Sequence, residues 1–130
     1  MTVLDSITIT SETRCGSTVV TVAGEIDVYT APALRDRLAE AAARTERDVV
    51  CDLSAVTYVD STAIGVLVGA FKKVRTRPGQ REMRMVAPTD PVRTVLRLTG
   101  LDRVFALHAT ADDALAAVPP DPPPAKDPSP

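Results

Sequence analysis

The sequence predicts a single α/β domain: a mixed sheet of about five strands with about four helices. Three observations lead there. Two β-rich runs near the N-terminus are separated only by a short turn, the mark of an antiparallel hairpin. Beyond residue 30 helical and strand patterns alternate, the arrangement of a largely parallel sheet. The chain of 130 residues is 45% hydrophobic but only 3% aromatic, with no Trp, so one aliphatic core of Val, Leu, Ile and Ala must serve.

Ser6 to Thr10 alternates with period two and is rich in β-branched residues, so it reads as the first strand. Arg14-Cys15-Gly16-Ser17 is the turn, and Thr18 to Ala23 the second strand. Gly24-Glu25-Ile26-Asp27 closes it. Thr30 ahead of Ala31-Pro32 predicts a helix start, with a hydroxyl cap and Pro in the first turn. That helix runs to about Arg44. It buries Leu34, Leu38, Ala41 and Ala42, and turns Arg35, Arg37, Glu40 and Arg44 to water. Glu40 and Arg44 have the favourable i,i+4 order.

Asp48 to Leu53 is apolar on both faces, as a central strand is. A second helix follows the Ser61 corner and runs to about Arg75, stopped by Pro78-Gly79. Met83 to Val86 is the fourth strand. Asp90-Pro91 opens a third helix with the stripe Val92, Val95, Leu96 and Thr99, ended by Gly100. Val104 to Leu107 is a fifth strand. Thr110 caps a last helix whose Leu115 and Val118 turn inward. Residues 1–118 form the domain. From 119 to 130 seven of twelve residues are Pro, a composition that builds no core, so a disordered proline-rich tail is expected.

Composition excludes several classes. With 15 basic and 17 acidic residues, net charge −2, no basic excess points to nucleic acid. The N-terminus shows no signal-peptide pattern and no apolar run reaches the roughly 18 residues of a membrane span, so a cytoplasmic protein without membrane association is expected. Cys15 and Cys51 make no disulfide framework, and His108 is the sole histidine. No cofactor, no metal site and no catalytic residue is expected.

Val59-Asp60-Ser61-Thr62-Ala63-Ile64-Gly65 places Ser61 on a strand-to-helix corner. A hydroxyl there can cap free backbone N–H groups, or carry a phosphate, which the same N–H groups and the helix dipole favour. The reciprocal capping box is absent, since Ile64 stands three residues after Ser61. Asp60 can serve as the cap, leaving Ser61 and Thr62 free. On a helical wheel the core side carries Ile64, Leu67, Val68, Phe71 and Val74. The opposite face holds Thr62, Val66 and Gly69, with Gly65 beside them and Lys72 and Lys73 at the far end. Two helical glycines cost about 1 kcal/mol each against Ala. Either a neighbouring element packs closely on them, or another protein approaches there.

Gly24-Glu25-Ile26-Asp27, then Asp52-Leu53-Ser54, then Val59 to Gly65, with Leu98-Thr99-Gly100-Leu101 later, resemble the STAS domain family over roughly residues 4 to 118. The nearest type is the anti-sigma factor antagonist, or anti-anti-sigma factor. Thr62-Ala63 departs mildly from a family pattern that often has Gly at the second position. The resemblance implies a bacterial partner-switching regulator of transcription, acting in stress response and not an enzyme. Unphosphorylated, it binds an anti-sigma factor that is also a serine kinase, and so frees a sigma factor. Phosphorylation of Ser61 switches it off and a serine phosphatase restores it. Asp27, Asp60, Ser61, Thr62, Gly65, Val66 and Gly69 would meet the partner. ATP and its metal ion would belong to the kinase, and the free protein is expected to be a monomer.

Lys72 lies 11 residues beyond Ser61, about 16 Å along a helix, so no nearby cation in this stretch neutralises a phosphate. Helix-terminus attraction and repulsion from Asp60 should nearly cancel, leaving the fold unchanged. Two rival readings stand beside this one. A serine hydrolase would need a base beside Ser61 and lacks Gly-x-Ser-x-Gly. A non-switching STAS interaction module of a transporter or a stress-sensing complex would use Ser61 only as a cap.

Overall fold

The computed structural model describes residues 2–4, 6–76, 82–87 and 89–119. Six strands form one sheet in chain order: β1 (Thr2–Leu4), β2 (Ile7–Arg14), β3 (Ser17–Ile26), β4 (Val49–Val59), β5 (Met83–Val86) and β6 (Ala106–His108). The first three pair antiparallel, and β3 through β6 pair parallel. The helices are α1 (Ala31–Arg44), α2 (Ser61–Arg75), α3 (Asp90–Leu98) and α4 (Ala111–Ala116). The expected five strands and four helices are present, with β1 added ahead of the hairpin.

The hairpin turn is set by its two central residues. Cys15 (φ 55°) and Gly16 (φ 82°) are both left-handed while Arg14 pairs with Ser17. That is the primed turn whose twist matches the flanking strands. Its partner β3 runs on to Ile26, past the expected end at Ala23, because β4 continues beside it. β4 itself extends to Val59 rather than stopping at Leu53. From Thr21↔Asp52 to Ala23↔Ala55, and again from Gly24↔Val56 to Glu25↔Tyr58, β4 uses one residue more than β3. These two bulges destroy the period-two signal in the second half of β4.

Alternation along the strands fills two layers. Ile9, Val22, Cys51, Leu53, Met83 and Met85 face Leu34 and Leu38 of α1, Leu67 of α2 and Leu96 of α3. On the other side Val19, Val50 and Val86 pack against Ala114 of α4. Burial on both faces of Val49-Val50-Cys51 is what a central parallel strand requires. The two phenylalanines meet edge to face in the larger layer, Phe71 on Phe105 at 5.1 Å and 84°.

Several local expectations shift. Thr30 does not cap α1: its Oγ1 donates to the Glu25 carbonyl (2.8 Å), and Asp27 Oδ1 instead accepts the Tyr29 and Thr30 N–H groups (2.9 and 3.0 Å). At α3 the cap position falls on Thr89, one residue before Asp90. Thr89 Oγ1 donates to the Val56 carbonyl and so caps nothing. In α2 the buried set is Ala63, Leu67, Ala70, Phe71 and Val74, with Ile64 and Val68 half-buried. The core face is thus rotated toward the two alanines, whose small side chains gave no signal.

The short fifth strand expected from Val104 starts at Ala106 instead. A 3₁₀ turn at Leu101–Arg103 holds Val104 in a helical conformation and sends Phe105 into the core. In α4 Thr110 does cap, accepting the Asp113 N–H at 3.0 Å, but the buried residue is Ala114, with Leu115 and Val118 half-buried. Pro78-Gly79 and residues 120–130 of the tail lie outside the described residues. The tail's first residue, Pro119, accepts a hydrogen bond from Arg47 at its carbonyl.

Candidate functional site

The site is built where parallel strands β3 and β4 end side by side. Ile26 pairs with Val59, and the Asp60 N–H donates to the Ile26 carbonyl at 3.3 Å. The loop after β3, carrying Asp27, and the loop after β4, carrying Ser61, therefore share one rim of the sheet.

Gly24 makes this possible. Its φ is +107°, and a Cβ there would lie 2.1 Å from the Ser6 carbonyl oxygen. Only glycine lets that oxygen reach the Glu25 N–H, which it accepts at 2.8 Å. The acidic residue of the same motif, Asp27, is half-buried and spends Oδ1 on its own loop, which fixes the path into α1. Asp52-Leu53-Ser54 is likewise a local device: Asp52 Oδ1 accepts both the Ser54 N–H (2.9 Å) and its hydroxyl (2.6 Å) at the first β4 bulge.

At the corner itself Asp60 is extended (φ −119°) and its Oδ1 accepts the Ala63 N–H at 2.9 Å. Asp60 is thus the N-cap of α2. Ser61 and Thr62, the first two helical residues, are exposed, and among the described residues the Ser61 hydroxyl has no hydrogen-bond partner. It sits above the free N–H groups of the first turn, where negative charge is favoured. Among the described residues no histidine or carboxylate is hydrogen-bonded to it, as the base of an activated nucleophile would be.

Down α2 from Ser61 the smooth face is open. A Cβ on Gly65 or Gly69 would meet nothing within 4 Å, so intramolecular close packing does not account for them. A groove of about 380 Å³ lies between Thr62, Gly65, Val66 and Gly69 of α2 and Arg35 and Ala39 of α1. Of the two lysines at its far end, Lys73 lines it. The α1 wall was not legible beforehand, since Ala39 carries little apolar signal and Arg35 reads as a solvated charge. Nor did the sequence single out Tyr29 and Tyr58, which are 85% and 43% exposed and belong to the loop after β3 and the end of β4. They stand out only in the structure, exposed while both phenylalanines are buried in the core.

Three features elsewhere bear on chemistry. Burial in the larger layer pushes the Cys51 thiol up to about 12, with the nearby Asp52 charge adding to it, so this thiol is unreactive in the fold. The buried Asp48 carboxylate holds Arg84 at 2.8 Å, and an Arg84 Nη1 donates toward His108 Nε2 at 3.3 Å. Burial first, then the Arg84 charge, lowers the His108 pKa, with Asp113 opposing. Among the described residues no cluster of three metal-ligating side chains occurs, and no helix is long and apolar enough to cross a membrane.

The STAS domain family model matches residues 7–114. The anti-sigma-F factor antagonist RsfB of Mycobacterium tuberculosis is 36% identical over 119 residues, spanning 91% of this chain and 94% of that protein. The anti-sigma-B factor antagonist of Bacillus subtilis is 36% identical over 93 residues, 72% of this chain and 83% of that one. The crystal structure of an anti-sigma factor antagonist from Mycobacterium paratuberculosis superposes with a TM-score of 0.80 at 37% identity, covering 91% of this chain and 98% of that chain. With most of its length matched on all three counts, and with the glycine and cap geometry that its motifs specify, the chain belongs to the STAS domain family and has anti-sigma factor antagonists as its relatives.

Proposed function

We propose that this protein is an anti-sigma factor antagonist, a bacterial transcription regulator rather than an enzyme, that works by partner switching. It binds an anti-sigma factor with serine kinase activity and thereby frees a sigma factor. Phosphorylation of Ser61 ends the interaction, and a serine phosphatase restores it. The names of its relatives support antagonism of an anti-sigma factor, and the kinase activity of that partner is part of the proposal. The observation that carries the switch is the exposed, unpartnered Ser61 hydroxyl beside an Asp60 that has already taken the cap.

The partner surface in this reading runs from Asp27, Asp60 and Ser61 over Thr62 and along Gly65, Val66 and Gly69. In this reading ATP and its metal ion belong to the kinase. The free protein is a cytoplasmic monomer.

A phosphoserine carries about −1.5 to −2 charge at neutral pH. The helix terminus attracts it by about 0.3–1 kcal/mol at an exposed site, while the Asp60 carboxylate next to it repels it. The fold therefore changes little, and the effect falls on the partner. Burying that charge against a surface shaped for a neutral hydroxyl costs several kcal/mol, enough to weaken binding by about a hundredfold or more.

The test is affinity capture from the native host with wild type and Ser61→Asp, read by mass spectrometry. A kinase-like anti-sigma factor retained by wild type and lost with Ser61→Asp supports the switch. Equal capture of transporter or scaffold proteins by both would favour a non-switching module in which Ser61 has no regulatory role.

A further inference from the structure

A second concave site lies away from the Ser61 corner, between α3 and the ends of β5 and β6. It is an open cleft of about 380 Å³, lined by Arg93 and Arg97 of α3, Asp102 of the 3₁₀ turn, Leu107 and His108 of β6, and Ala87 and Ala109 just past β5 and β6. That volume is within the ordinary range of small-molecule sites, about 300–1,000 Å³. Ala87 and Ala109 stand just beyond the carboxyl ends of the parallel strands β5 and β6.

The wall carries three kinds of chemistry. Arg93 is oriented from behind: its Nε donates to the Ala87 carbonyl at 3.1 Å. Arg97 follows one turn later and, among the described residues, has no ion-pair or hydrogen-bond partner. Two like charges at i,i+4 repel by a few tenths of a kcal/mol, so the pair is not a folding device. Asp102, on the same wall, forms no ion pair with either arginine. Leu107 leaves an apolar surface exposed beside the buried Ala87.

The geometry points to a binding site for a small zwitterion with an aliphatic side chain, of the amino-acid class. Arg93 and Arg97 take the carboxylate, Asp102 takes the ammonium, and Leu107 with the two alanines takes the side chain. A dianion is disfavoured because Asp102 faces the same space.

The test uses amide NMR spectra of the full chain titrated with L-leucine, isovalerate (no ammonium) and isopentylamine (no carboxylate), against sodium chloride at matched ionic strength. Leucine is expected to shift Ala87, Arg97, Leu107 and Ala109 saturably. Isovalerate should bind about tenfold more weakly, the ratio one charge-assisted hydrogen bond supports. Arg97→Gln should abolish leucine binding, and Asp102→Asn should bring isovalerate level with leucine or above it. Both residues are exposed, so neither change threatens the fold. No saturable shift with leucine, or shifts unchanged in Arg97→Gln, or isovalerate binding wild type as tightly as leucine, would overturn the assignment. The anti-sigma partner plays no part in the measurement, so its outcome is independent of the Ser61 switch.

Discussion

Asp60 Oδ1 holds the Ala63 N–H at 2.9 Å, while the hydroxyl of Ser61, the first residue of α2, has no hydrogen-bond partner among the described residues. The two neighbours therefore separate structure from regulation. Asp60→Ala should lower stability by about 1 kcal/mol, the usual loss for an N-cap. Ser61→Ala should stay within about 0.5 kcal/mol of wild type, as exposed substitutions do. Urea unfolding of the two variants side by side measures the contrast. A larger loss from Ser61→Ala than from Asp60→Ala would make Ser61 the cap after all.

The glycines divide the same way. Gly65→Ala and Gly69→Ala place a methyl in open space and should each raise stability by about 1 kcal/mol through helix propensity. Gly24→Ala forces a Cβ onto the Ser6 carbonyl at a φ that L-residues avoid, and should destabilise by about 3 kcal/mol or prevent folding. Thermal melts read both signs. Should the more stable Gly65 and Gly69 variants lose affinity for the anti-sigma factor, the glycines serve the partner rather than the fold.

Thiol chemistry offers a check on the core. Cys15 is exposed on the hairpin turn, whereas Cys51 is buried with its pKa pushed up to about 12. A thiol reagent at neutral pH should label one cysteine in the native protein and two in denaturant. Fast labelling of both would mean that β4 opens far more readily than its burial implies.

Asp48 and Arg84 form a buried ion pair, with side chains 7% and 13% exposed. Asp48 also accepts the Glu82 N–H at 3.0 Å. Removing one partner strands the other, so Asp48→Ala should cost about 3 kcal/mol. Adding Arg84→Met should recover part of that loss, and denaturant midpoints of the single and double variants show whether it does.

His108 sets a mild acid sensitivity. Its pKa in the fold lies below the ordinary 6.5, because burial and Arg84 disfavour the charged ring. The unfolded chain then takes up a proton more readily than the fold. Stability is unaffected above about pH 7, falls as the pH drops through 6.5, and levels off below the folded pKa. Partial exposure keeps the effect small. His108→Gln should flatten this slope in urea midpoints measured between pH 7.5 and 5.5, and an unchanged slope would assign it to other groups.

Sequence periodicity placed every long element and the Ser61 corner, because large apolar side chains recur where the core needs them. What it missed has physical causes. The second half of β4 was hidden by two bulges, each adding a residue that breaks alternation. Ala63, Ala70 and Ala114 are buried contacts that no hydrophobic stripe announces, since a methyl group packs but barely signals. Thr30 looks like a cap but gives its hydroxyl to the Glu25 carbonyl near the end of β3, a choice made by the loop rather than by the helix. At the site, the motif residues Asp27 and Asp60 were legible by type. That each one secures its own loop became visible only with the strands side by side.

The sheet's spatial order repeats its chain order from β1 to β6. Each strand emerging during synthesis finds its neighbour already present and never has to wait for, or insert between, later ones. Both loops of the switch corner, with α1 and α2, lie within residues 17–75. The half of the chain that bears Ser61 is therefore synthesised in full before β5, β6 and the acid-sensitive His108 exist to complete the shared core.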